Sequence, residues 1–99
     1  MADSQFSRFL ELKNQTERQH TEFLKTEVQT GLTLLGVART ELASGDLPHM
    51  ERALAGARAA FNILLARLPG LHAAMTTAER HWFQEKMKVF GDALEHFPG

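Results

Sequence analysis

Apolar side chains recur along this chain at alternating steps of three and four, the spacing that lines them up on one stripe of an α-helix. The clearest run is Leu47, Met50, Leu54, Ala57, Phe61, Leu64 and Leu68. A second row, Ala53, Gly56 and Ala60, is small and would let another helix approach closely. Gly45-Asp46 ahead of the run reads as the end of one helix and the N-cap of the next. Pro48 suits a first turn, where its missing N–H costs little. Pro69-Gly70 reads as the stop, because proline disfavours helical geometry at Leu68 and Gly70 permits a turn. The spacing predicts a helix over 47–68.

A further helix is expected over 77–96. Thr76-Thr-Ala-Glu79 matches a capping box, in which a threonine hydroxyl and a glutamate three residues on satisfy each other's free backbone N–H groups. The stripe is Phe83, Met87, Phe90, Leu94 and Phe97, widened by Trp82, Val89 and Ala93, and Phe97-Pro98-Gly99 is a stop. Leu71, in the connection from Pro69 to Met75, is expected to cover the end of the bundle.

The first segment differs from these two. Its stripe runs through Val28, Leu32, Leu35, Ala38 and Leu42, with Phe23 and Leu24 one turn earlier. Upstream stands a separate apolar group, Phe6, Phe9, Leu10 and Leu12, and the ten residues from Lys13 to Glu22 between them carry no apolar side chain. No proline or glycine interrupts Ser4 to Thr30. A helix over 4–43 is about 60 Å long at 1.5 Å per residue, against about 33 Å for the second. It cannot be covered by its own chain. Two solutions exist: a break near Asn14 that folds residues 4–12 back as a fourth helix, or a straight helix whose Phe6, Phe9, Leu10 and Leu12 form a homodimer interface. Burying one such side chain is worth roughly 1.5–3 kcal/mol, so four are not expected to stay in water. The absence of a strong breaker favours the straight form, with Thr16 and His20 continuing the stripe across the polar stretch.

Strand signals are missing: isoleucine occurs once, valine three times and tyrosine not at all, and no segment alternates long enough for a sheet. The expected fold is one all-α domain over residues 1–99, an antiparallel three-helix bundle with an overlong first helix, or four helices if residues 4–12 fold back.

Composition narrows the function classes. At 99 residues there is room for one domain. Eleven basic against twelve acidic residues leave a net charge of −1, so the electrostatic footprint of a nucleic-acid binder is missing. Without cysteine there are no disulfides and no thiolate metal sites. The longest uncharged stretches, Val28–Ala38 and Leu68–Ala78, have 11 residues each, too few to span a bilayer. No basic flank or apolar run follows Met1, so no secretory signal is expected, and the chain is expected to be cytoplasmic.

Candidate chemistry is sparse. Glu17-Arg-Gln-His20 has the Glu-x-x-His step of di-iron carboxylate bundles. A dimetal centre needs two such steps and two further carboxylates, so Glu17 and His20 are weak metal candidates and no cofactor is expected. His81 and Glu85, and Asp92 and His96, stand four apart and can meet on a helix surface, but two ligands bind metal weakly without a third. His96 also suits a helix C-terminus, His49 sits in a first turn where positive charge is disfavoured, and His72 carries no signal. Trp82-Phe83 beside Arg80 could stack bases, yet Glu79 and Glu85 bracket the pair and core packing is the better reading. Arg52, Arg58 and Arg67 give the second helix a mild positive face, normally solvated. No Gly-Lys-Ser/Thr loop or G-x-S-x-G elbow occurs, and no enzyme is expected.

The stretch from Leu34 to Leu47 followed by Met50 to Ala57 resembles a tetratricopeptide-type helical hairpin. Leu34, Val37 and Ala38 fall where that motif has large, large and small residues, Gly45-Asp46 matches its turn, and Met50, Leu54 and Ala57 its second-helix packing positions. Asn62 stands where proline closes the repeat, and no second copy follows. The resemblance implies a tightly packed antiparallel helix pair and no peptide groove. The expected function is a non-enzymatic helical protein-interaction module of adaptor, small-chaperone or regulator type, self-associating as a homodimer, without nucleic acid or membrane. The alternative is a metal- or small-ligand-binding helical bundle.

Overall fold

A computed structural model describes the backbone of residues 2–98 and the side chains of residues 4–98. Met1, and Gly99 of the expected C-terminal stop, lie outside the described residues. The protein is an all-α three-helix bundle with no strand among the described residues. Helix α1 spans Ala2–Ser44, α2 Leu47–Leu71 and α3 Thr77–Glu95, with a single 3-10 turn at His72–Ala74 before α3. The first helix is continuous through Asn14, so the four-helix alternative, with residues 4–12 folded back, does not occur. Its physical reason is local: that segment lacks glycine and proline, and every residue in it can hold helical geometry.

The caps sit where the residue types favour them. Gly45 takes the left-handed conformation at φ 84°, which a glycine adopts without steric cost. Asp46 then caps α2, its Oδ1 accepting the His49 N–H at 3.2 Å. At the start of α3 the Thr76 hydroxyl accepts the Glu79 N–H at 3.1 Å, and Glu79 Oε1 accepts the Thr76 N–H at 3.0 Å.

The helix α2 does not stop at Leu68. It carries Pro69 in its interior and runs on to Leu71. Proline there leaves the Leu65 carbonyl without its N–H partner, but Leu65 is on the exposed side of the helix, where water can hydrate the group. Continuing the helix delivers Leu71 into the core, and Met75 follows it, both buried.

α1 and α2 form a close antiparallel hairpin. Its seam is built from small residues: Ala53, Ala57 and Ala60 are buried, and a β-carbon on Gly56 would stand 2.9 Å from Leu34 Cδ1. The third helix runs parallel to α1, since Glu79 lies beside Arg18 and Lys25 while Phe90 packs on Gly31. Phe83 and Phe90 fill the space beneath it, and Phe90 meets Phe61 ring to ring at 5.1 Å.

The core stripe of α1 is Thr21, Leu24, Val28, Gly31, Leu35 and Ala38, all buried. Thr21 is wholly buried, and its hydroxyl donates to the Glu17 carbonyl at 2.9 Å, so no polar atom is left unpaired. The stripe therefore enters the polar stretch through Thr21. The expected continuation through Thr16 and His20 does not hold: both are exposed although His20 stands four residues before Leu24, and Thr21, three before Leu24, takes the inward position instead. Leu47, Val89 and Phe23 are also more exposed than the stripes imply, at 50%, 57% and 45%, because each stands at the edge of its apolar arc.

Candidate functional site

Residues 4–16 of α1 are exposed without exception. They form an arm of about 20 Å that extends past the end of α2 and α3. Its apolar residues stay in water: Phe6 is 63% exposed, Phe9 61%, Leu10 40% and Leu12 59%. Around them are Ser7, Arg8, Glu11 and Lys13, and the Thr16 hydroxyl donates to the Leu12 carbonyl at 2.9 Å. Soluble monomers rarely expose several large apolar side chains together. The arm makes the molecule a rod of 66 × 22 × 16 Å with a radius of gyration of 17.5 Å, against about 13 Å for a compact chain of this length.

A second apolar surface lies at the base of the arm. Between α2 and α3 runs an open groove of about 700 Å³, lined by Leu65, Leu68, Pro69, Met75, Phe83 and Met87, with His72, Arg80 and Gln84 as its polar lining. It exists because the aromatic side chains of α3 hold that helix away from α2, and because α2 runs on through Pro69 to Leu71. The sequence reading missed it. Leu65 lies off the core stripe of α2 and Met75 belongs to no stripe, so the helical spacing gave neither a role beyond a surface or a connection.

The base of the arm is fixed to α3 by charge. Glu79 Oε2 accepts from Arg18 Nη2 at 2.7 Å and stands 3.0 Å from Lys25 Nζ. The Arg18 guanidinium, with help from the Thr76 N–H and the Lys25 ammonium, holds the Glu79 carboxyl down at about 2. In return, Glu79 raises Arg18, and Glu22 and Glu79 together raise Lys25. Sequence spacing assigned Glu79 to the capping box alone, since a partner 61 positions away leaves no local signal.

The weak metal candidates do not form a centre. Glu17 is half-buried and lies 3.9 Å from Lys13 Nζ. His20 is exposed beside Phe23, Arg67 and Leu71. No third ligand joins them among the described residues. Three possible ligands meet elsewhere: atoms of Glu41, Asp46 and His49 lie within 4.8 Å of one another. His49 Nδ1 is 3.5 Å from Glu41 Oε2 and 3.8 Å from Asp46 Oδ2, at the α1–α2 turn. His81 Nε2 meets Glu85 at 3.1 Å on an exposed face. His96 bonds the Asp92 backbone carbonyl at 2.8 Å instead of its carboxylate. His72 lines the groove. Phe83 is buried and Trp82 half-buried, the two rings meeting edge to face at 5.0 Å with Lys86 Nζ 5.9 Å from the indole. Arg52, Arg58 and Arg67 are exposed.

Comparison with protein-family models, with characterised proteins and with solved structures gives no match. No helix among the described residues is long and apolar enough to cross a membrane.

Proposed function

We propose that this protein is a non-enzymatic helical interaction module whose projecting arm is its binding element, and that it self-associates as a homodimer in a cytoplasmic setting. One observation carries the reading: the unbroken continuation of α1 presents Phe6, Phe9, Leu10 and Leu12 to water, with none of the described residues covering them. Each such side chain gains roughly 1.5–3 kcal/mol on burial, so the arm is built to be covered. A helix laid against an apolar surface is a common mode of protein recognition, and association of identical chains is most often two-fold.

Deleting residues 1–13 tests this. The bundle contacts begin at Arg18 and Thr21, so the shortened chain should stay folded, with the helical circular dichroism of the bundle, and lose only the stabilisation that association adds. By light scattering, the full-length chain should be a dimer and the shortened chain a monomer. A full-length monomer at high micromolar concentration would falsify self-association.

A further inference from the structure

We propose that the arm of each copy seats in the α2–α3 groove of a second copy, so that two chains complete each other as a pair of four-helix bundles. This rests on the self-association reading and adds the receiving site.

The phase of the arm supports it. Phe6 precedes Leu24 by 18 residues and Leu10 precedes Val28 by the same number, which is five turns at 3.6 residues per turn. Since α1 is continuous, Phe6 and Leu10 face the same direction as the core stripe that α2 and α3 cover lower down. A second copy turned end for end, its bundle abutting the first, brings its own α2 and α3 to that face. The same rotation brings its arm to the first copy's groove, so the contact is two-fold and closed. The arm cannot fill its own groove, because the groove lies at its base and the straight helix points away from it.

Dimensions agree. Phe6 to Leu12 spans about 9 Å along the helix axis, and the groove follows the end of α2 and the turn after it, from Leu64 to His72, over about 12 Å. Areas decide between two forms of dimer. A fully buried phenylalanine removes roughly 150–250 Å² from water, so the four exposed side chains leave on the order of 400 Å² of apolar surface per arm. Laid arm on arm, the two patches would bury about 800 Å² in total, the scale of a packing contact. With each copy giving an arm and a groove the total reaches about 1,100 Å², past the roughly 1,000 Å² that a specific interface needs.

The test uses the full chain in three variants, followed by light scattering over a concentration series, with circular dichroism as the check on folding. Phe6→Asp damages the arm and leaves the groove. Leu65→Asp damages the groove and leaves the arm, at a side chain 54% exposed. Gln84→Lys places a charge across the groove from an exposed position on α3. Each variant alone should dimerise at least about tenfold more weakly than the natural chain. An equimolar mixture of Phe6→Asp and Leu65→Asp should recover a heterodimer, held by the one intact arm in the one intact groove. A dimer lost in Phe6→Asp but unchanged in both groove variants keeps self-association and overturns the groove as receiver. A full-length monomer removes both readings.

Discussion

Two glycines in α1 separate helix propensity from packing at the scale of single residues. Replacing a mid-helix glycine by alanine normally stabilises by roughly 0.5–1 kcal/mol. Gly36 is exposed, and a β-carbon there would meet nothing within 4 Å. Gly36→Ala should therefore raise the melting temperature. Gly31 is buried, and its missing β-carbon is the space that the edge of the Phe90 ring occupies, with Ala60 Cβ only 3.2 Å away. The Phe90 ring is wholly buried and packed against Phe61, so it cannot swing aside. Overpacking of this kind costs about 1–3 kcal/mol, enough to reverse the propensity gain. Gly31→Ala should lower the melting temperature, and thermal unfolding of the two variants side by side checks the opposite signs.

Among the elements, α3 is the one whose docking depends on ionisation. The Glu79 carboxyl sits at about 2 in the folded chain instead of near 4.5, chiefly because Arg18 bonds it. A carboxyl lowered on folding gives stability that is present above its unfolded value and is lost as the pH falls towards the folded one. The window is therefore pH 4.5 to 2. Both cations are partly solvated, so the effect is on the order of 1 kcal/mol, the range of surface pairs. Glu79→Gln keeps an oxygen for the Thr76 N–H and removes the charge. It should be less stable than the natural chain at neutral pH and converge with it towards pH 2 in urea unfolding. A constant offset across that range would assign the effect to the cap alone. The elements themselves were legible in the sequence because their causes are local: the three-four spacing, the Gly45-Asp46 turn and the Thr76–Glu79 box. What was not legible depends on distant partners. Thr21 is a core residue only because the i−4 carbonyl satisfies it under α2. Pro69 continues a helix only because Leu71 and Met75 have a core to enter. The groove arises from the spacing of α2 and α3, which no single stripe records, whereas the arm was visible as four apolar residues stranded beyond a polar stretch.

The shape of the whole molecule turns these features into a length that can be measured. One chain is 66 Å long, of which the arm contributes about 20 Å and the three-helix portion about 45 Å. If two arms pair only with each other, the bundles are held apart by the paired arms and the particle is about 110 Å long. If each arm lies in the other chain's groove, the bundle ends meet and the arms add nothing to the length, giving about 90 Å. The second arrangement places four helices around each apolar core, a packing in which every stripe has a neighbour. It also leaves the polar stretch from Lys13 to Glu22 at the junction, where facing bundle ends keep access to water. Small-angle scattering of the full-length chain should therefore give a maximum dimension near 90 Å at concentrations where light scattering reports a dimer. On dilution it should fall towards the 66 Å of the single rod. A dimer near 110 Å would show arms paired with arms and grooves left open.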